Sequence, residues 1–121
     1  INENDSVSTE EIQFGDNDQL SAILAANMRA DELIILTNTD GVLDTNNKVI
    51  PSLNKITETE LSLVEDSLSS IHSKGGMSSK LLAAKIALES NILTTIANGR
   101  TENIIHSILS GTKIGTIIKN T

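Results

Sequence analysis

Leu33-Ile34-Ile35-Leu36 is an unbroken apolar run that ends in the turn-rich Thr37-Asn38-Thr39-Asp40-Gly41. A run this short and this aliphatic reads as a strand buried on both faces of a parallel sheet. Ile92 to Ala97 has the same character and reads as another central strand, and Ile114 to Lys119 as a last one. Helical patterns separate them. Gly15-Asp16-Asn17-Asp18 supplies several N-caps, and Leu20, Ile23, Leu24 and Met28 then fall at i, i+3, i+4 and i+8. That spacing predicts one buried face of a helix ending near Ala30.

Working outward, Glu11-Ile12-Gln13-Phe14 reads as a short strand, and Val49-Ile50 and Leu53 to Ile56 as weak extended segments around Pro51, the only proline. Thr57-Glu58-Thr59-Glu60 has the spacing of a capping box and opens a helix to about Ser67. The next helix starts near Gly76 with Met77, Leu81, Ala84 and Leu88 on one stripe. Thr101 caps a further helix through Leu109, and Gly111 stops it. Alternation of this kind predicts an α/β class, a three-layer αβα sandwich with a mostly parallel sheet. Ligands of such sheets lie beyond the carboxyl ends of the strands. The loops after Leu36 and Ala97, and the glycine pair before Met77, are therefore the candidate ligand positions.

Composition narrows the function classes. The 121 residues suffice for one modest core or for part of a larger one. Ile, Leu, Val and Ala carry nearly all of the apolar content, with Phe14 the single aromatic. There is no cysteine, hence neither a disulfide nor a thiolate metal site. A formal net charge of −7 argues against nucleic acid as a partner. No apolar run reaches the length of a membrane span and no cleavable signal is visible, so the expectation is cytoplasmic and away from membranes. The basic residues are unevenly placed: Lys74, Lys80 and Lys85 lie beside Gly75 and Gly76. A local cationic spot on an acidic chain suits a small anion.

Three segments have the residue types for such chemistry. In Ser73-Lys74-Gly75-Gly76-Met77-Ser78-Ser79-Lys80, two glycines let backbone approach a ligand, and the N–H groups of a new helix point at it. Ser78 and Ser79 add hydroxyls, and Lys80 lies one turn in, where it can bend back toward an anion. The common P-loop pattern is absent, and a flexible glycine loop with a solvent-facing lysine accounts for the same residues. Gly15-Asp16-Asn17-Asp18 suits a substrate amine, a metal or the lysines of an active site, but also plain capping of a helix dipole. An EF-hand is excluded by the missing glycine and downstream glutamate. Thr37 to Gly41 is either a ligand loop or an ordinary turn. Asn2-Glu3-Asn4-Asp5 is dense in polar groups. His72 and His106 have no partners at metal-ligand spacing, and nothing supports Ser-His-Asp catalysis.

Taken together, Ile1-Asn2-Glu3-Asn4-Asp5, Phe14-Gly15-Asp16-Asn17-Asp18 with Leu20-Ser21-Ala22, Leu36-Thr37 with Gly41-Val42-Leu43, and Gly75-Gly76-Met77-Ser78-Ser79-Lys80-Leu81 resemble, in order and spacing, the glutamate 5-kinases, a branch of the amino acid kinase family. The tail Ile114-Gly115-Thr116 matches that family's closing strand. The resemblance implies transfer of the γ-phosphoryl group of ATP to the side-chain carboxylate of L-glutamate with Mg²⁺, the first step of proline synthesis. It implies that Asp5 and Asn17 bind glutamate, with Asn2 and Asp16 nearby. Thr37, Asn38 and the stretch Lys74, Gly75, Gly76, Met77, Ser78, Ser79 and Lys80 then contact the nucleotide. Lys80 stabilises charge on the transferring group, and Asp18 holds the catalytic lysines. A carboxylate nucleophile is already ionised, so the lack of a His or Cys base is expected.

The family often has Asp at the position of Asn38 and Thr at that of Lys74. The chain looks like the C-terminal portion of one kinase domain, with the N-terminal half and any PUA domain absent, and is expected to be inactive alone. The resemblance further implies a dimer or tetramer of one chain and feedback inhibition by proline. Two other readings remain: another family member acting on carbamate, acetylglutamate or aspartate, and a non-catalytic nucleotide-binding regulatory module.

Overall fold

The computed structural model describes residues 16–67 and 76–121. The expected Glu11–Phe14 strand lies outside them. Eight elements follow in order: α1 (Asp16–Asn27), β1 (Glu32–Thr37), β2 (Ser52–Leu53), α2 (Glu58–Ser67), α3 (Met77–Glu89), β3 (Leu93–Asn98), α4 (Ile104–Leu109) and β4 (Thr116–Ile118). The strands form one sheet in the order β1-β3-β4-β2. β1 pairs with β3 in parallel, from Glu32 opposite Leu93 to Thr37 opposite Asn98, and β2 pairs with β4 in parallel. β3 and β4 run antiparallel, Ile96 opposite Thr116. The sheet is thus mixed, β4 running against β3 although α4 lies between the two strands in sequence.

Side-chain alternation divides the sheet between two layers. Ile35, Ile96 and Ile118 enter the main core with Ala22 of α1 and Met77, Leu81, Ala83 and Ala84 of α3. On the opposite face, Ala97 meets Ile104 and Ile108 of α4, with Ile34 and Ile114 packed against them. This is the expected αβα sandwich. The stripe expected on α3 is also observed, with Met77, Leu81 and Ala84 buried and Leu88 packed against the core.

Several expectations fail, for reasons of packing or of local backbone conformation. Leu20, Ile23 and Leu24 of α1, and Met28 just past its end, do not form the buried face; they are 40, 47, 42 and 70% exposed. Ala22 and Ala25 are buried instead. The helix turns its alanines to α3, whose facing residues Ala83, Ala84 and Ala87 are fully buried, and small residues allow two backbones to approach closely. The helix also stops at Asn27, because Arg29 takes a left-handed conformation (φ 54°). β1 is not buried on both faces. It is the outer strand of the described sheet, and only Ile35 is buried while Leu36 is 41% exposed.

Thr101 does not cap α4. Its N–H donates to the Asn98 carbonyl at 3.2 Å inside a turn, and the helix starts three residues later behind Asn103 (φ 57°). Gly111 (φ 92°) does end it. The last strand is shorter than expected, limited to residues that pair with β2 and β3.

The capping box is present as expected. Thr57 N–H donates to Glu60 Oε2 at 3.3 Å, and the Thr57 hydroxyl donates to the same oxygen. That hydroxyl bond holds the Glu60 carboxyl below its ordinary value. A lowered value means that the stabilisation is present above the usual carboxylate range and fades as the pH falls through it.

The chain returns from α4 to β4 through Gly115, at φ +74°. A Cβ there would collide with the Ile96 carbonyl oxygen and press on Ala97. Both the left-handed backbone and the space require glycine. Gly115→Ala is expected to destabilise the fold by about 2–4 kcal/mol from overpacking and backbone strain combined, read as a lower urea midpoint.

Candidate active site

Each of the helices α1 and α3 runs back to the amino end of the strand that follows it, so both present their N-termini at the carboxyl ends of β1 and β3. That geometry brings together residues 61 and 62 positions apart. Asp18, in the first turn of α1, accepts hydrogen bonds on Oδ2 from the Ser79 hydroxyl at 3.0 Å and from Lys80 Nζ at 3.2 Å. The Lys80 and Asp18 side chains are 15 and 19% exposed, a pair mostly withdrawn from water yet reachable. Ser79 is 7% exposed.

Gly76 is the N-cap of α3 and has no side chain to satisfy the first-turn N–H groups, and no acidic residue occupies that turn. Such a helix start is electropositive and suited to an anion. Thr37 ends β1 beside Asn98 at the end of β3, and the Gly99 N–H donates to the Thr37 carbonyl at 2.8 Å. Asn38 is exposed in the loop that follows. The carboxyl ends of β1 and β3 and the tips of α1 and α3 thus converge on one side of the sheet. A cleft of about 250 Å³ adjoins Asp18, lined also by Asn17, Ser21 and Ile34 to Leu36.

Of the residues expected at the site, Asn17, Asp18, Thr37, Asn38, Gly76, Met77, Ser78, Ser79 and Lys80 lie at this end of the molecule. Asn2, Asp5, Lys74 and Gly75 lie outside the described residues, as does the side chain of Asp16, whose backbone opens α1. Met77 buries its side chain in the core, so only its backbone is available to a ligand.

Sequence reasoning missed two features. Asn98 donates from Nδ2 to Asp40 at 3.1 Å and accepts the Arg100 N–H at 2.9 Å. It thereby ties the loops after β1 and β3 together, although only the location of the second loop was legible. Thr116, fully buried, accepts the Val42 N–H at 2.8 Å and donates to the Ile50 carbonyl at 2.6 Å. It fastens the excursion after β1 to the sheet, a role that its place in the Ile114-Gly115-Thr116 tail does not reveal.

Among the described residues, no group of His, Cys, Asp or Glu is placed to hold a metal ion. No helix among the described residues is long and apolar enough to cross a membrane.

An ion-paired lysine one turn inside an uncapped helix start, at the carboxyl ends of the parallel strands β1 and β3, is an arrangement of an α/β fold suited to holding an anion. The chain belongs to the amino acid kinase family, whose model matches residues 1–98. Proteins named glutamate 5-kinase from Methylococcus capsulatus and Kosmotoga olearia are 43 and 44% identical to it over 98% of this chain. The chain spans 33% of the length of each of these curated relatives. Among solved structures, the uridylate kinase of Archaeoglobus fulgidus is 30% identical, with a TM-score of 0.60 over 84% of this chain and 45% of its own. A carbamate kinase from Giardia lamblia bound to AMP-PNP shares the fold at 20% identity, with a TM-score of 0.62 over 86% of this chain and 32% of its own.

The α1–α3 contact sets the Asp18–Lys80 pair, so widening it should damage both stability and site. Ala22→Leu, at a fully buried position, is expected to cost about 1–3 kcal/mol by overpacking and to weaken binding of a nucleotide analogue. Thermal melts and calorimetric titration check the two effects, and an unchanged affinity at reduced stability would separate the helix contact from the site.

Proposed function

We propose that the chain supplies the nucleotide-binding, C-terminal portion of a kinase domain that phosphorylates the side-chain carboxylate of L-glutamate with ATP, the first step of proline synthesis. The observation carrying this reading is the Lys80–Asp18 pair at the α3 tip, in a chain whose relatives of 43 and 44% identity are named for that reaction.

The residues divide the work by chemistry. N–H groups of the α3 start and the Ser78 hydroxyl hold phosphate oxygens, assisted by Lys74, Gly75 and Gly76. Thr37 and Asn38 receive the nucleotide at the end of β1. Asp5 and Asn17 bind glutamate, with Asn2 and Asp16 beside them. The glutamate carboxylate oxygen attacks the γ-phosphorus, the bond to the β-phosphate bridging oxygen breaks, and ADP leaves with that electron pair. No proton moves in this step, so no base is needed. Lys80 neutralises charge on the equatorial oxygens of the group in flight. Asp18 keeps the ammonium on the side where that group passes. Mg²⁺, held by the phosphates, supplies further charge neutralisation when bound.

The same reading extends to a cytoplasmic enzyme acting as a dimer or tetramer of one chain, with proline as feedback inhibitor, as expected from the family resemblance. The isolated 121 residues should be inactive. In the complete enzyme, Lys80→Ala should lower kcat by about 10³-fold, a loss of the size seen on removing one preorganised charge-stabilising donor. Glutamate-dependent ADP release and circular dichroism check it together. A variant that keeps its turnover and loses only nucleotide affinity would make the chain a binding module instead of a catalyst.

A further inference from the structure

Resting on that kinase reading, we infer that Ser79 is a positioning residue whose hydroxyl acts through Asp18 to fix Lys80 and does not bind the nucleotide. A serine hydroxyl has one proton to donate. That of Ser79 is committed to Asp18 Oδ2, at 3.0 Å, by a side chain that is 7% exposed. A phosphate oxygen requires a donor, and the Ser79 hydroxyl has none left to offer.

The neighbouring Ser78 differs. It is half-buried, and its hydroxyl has no partner among the described residues. Successive residues on a helix point about 100° apart. One serine of the pair therefore faces α1 while the other stays at the ligand side.

The placement gives Ser79 a specific effect. Lysine carries its charge on a flexible four-carbon stem, and one ion pair does not fix it. Asp18 Oδ2 receives both the Ser79 hydroxyl and the Lys80 ammonium. A short, buried serine on a rigid helix pins the carboxylate, and the pinned oxygen then pins the ammonium through one N–H. The other two N–H bonds remain for the transferring group. The serine reaches across only because alanines bring α1 and α3 together, Ala22 with Ala83 and Ala84 in one cluster and Ala25 with Ala87 in the next. Small displacements of a charge-stabilising group lower kcat without altering ground-state affinity.

The test compares Ser79→Ala, Ser79→Thr and Ser78→Ala in the complete enzyme. Ser79→Ala is expected to lower kcat about 10- to 100-fold, the range for a misplacement near 1 Å, with KM for ATP and glutamate within about twofold. Ser79→Thr, which keeps the hydroxyl, should restore most of it. Ser78→Ala should instead raise KM for ATP. On an Asp18→Ala background, Ser79→Ala should cause no further loss, since its route to Lys80 is already cut. An undiminished kcat, a rise in KM for ATP as the main effect of Ser79→Ala, or a further loss on the Asp18→Ala background would each overturn the proposal. A complete enzyme without glutamate-dependent ADP release would sink the kinase reading alone. The positioning role is then judged on the 121-residue chain by the Lys80 ¹⁵Nζ resonance, expected to be observable in the native chain and in Ser79→Thr and exchange-broadened in Ser79→Ala. A resonance that is the same in all three contradicts it.

Discussion

The contact between α1 and α3 is the constraint on which the rest of this structure depends. Both helices meet through alanine, and alanine faces allow a closer approach than leucine faces would. That approach gives the core its shape, since Ala22, Ala83, Ala84 and Leu81 fill the space above Ile35 and Ile96. It also sets the chemistry. Residues in the first turn of each helix stand opposite one another across the seam, so a short serine and a lysine from α3 reach one carboxylate oxygen of α1. The cost falls on the outer face of α1, where Leu20, Ile23, Leu24 and Met28 remain exposed among the described residues.

The other half of the arrangement is the way loops are fastened at the carboxyl ends of the strands. Gly115 lets the chain turn sharply back into an antiparallel strand against Ile96 and Ala97. Thr116 then captures the excursion after β1 through Val42 and Ile50. Asn98 joins the loops after β1 and β3 through Asp40. These bonds hold the Thr37 loop next to the α3 tip. A nucleotide spanning the two would meet a site already formed, without paying the ordering cost of loose loops.

How much of this was legible in the sequence depends on the range of the interaction. Most local signals were reliable, the Thr101 cap excepted. The capping box at Thr57 and Glu60, the apolar runs of β1 and β3, the Gly76 helix start and the Gly111 stop are set within a few residues, and the structure shows all of them. Signals that depend on what lies opposite an element were not. The i, i+3, i+4 stripe of α1 is a genuine periodicity, but its alanine face won the contact because the facing residues of α3 are small. Likewise an aliphatic run does not reveal whether its strand is central or at an edge. The site was half legible: Lys80 and Asp18 were named from the resemblance, while the Ser79–Asp18 bond joins positions 61 residues apart and leaves no local mark.

On the proposed function, the α3 tip is where phosphoryl transfer would occur. The most direct measurement is a crystal structure of the complete enzyme with a non-hydrolysable ATP analogue. The γ-phosphate is predicted to lie within hydrogen-bond reach of Lys80 Nζ and of the backbone N–H groups of Met77 to Ser79, with the Lys80–Asp18 pair intact. A nucleotide bound with its phosphates away from this tip, or with Lys80 turned from them, would contradict it.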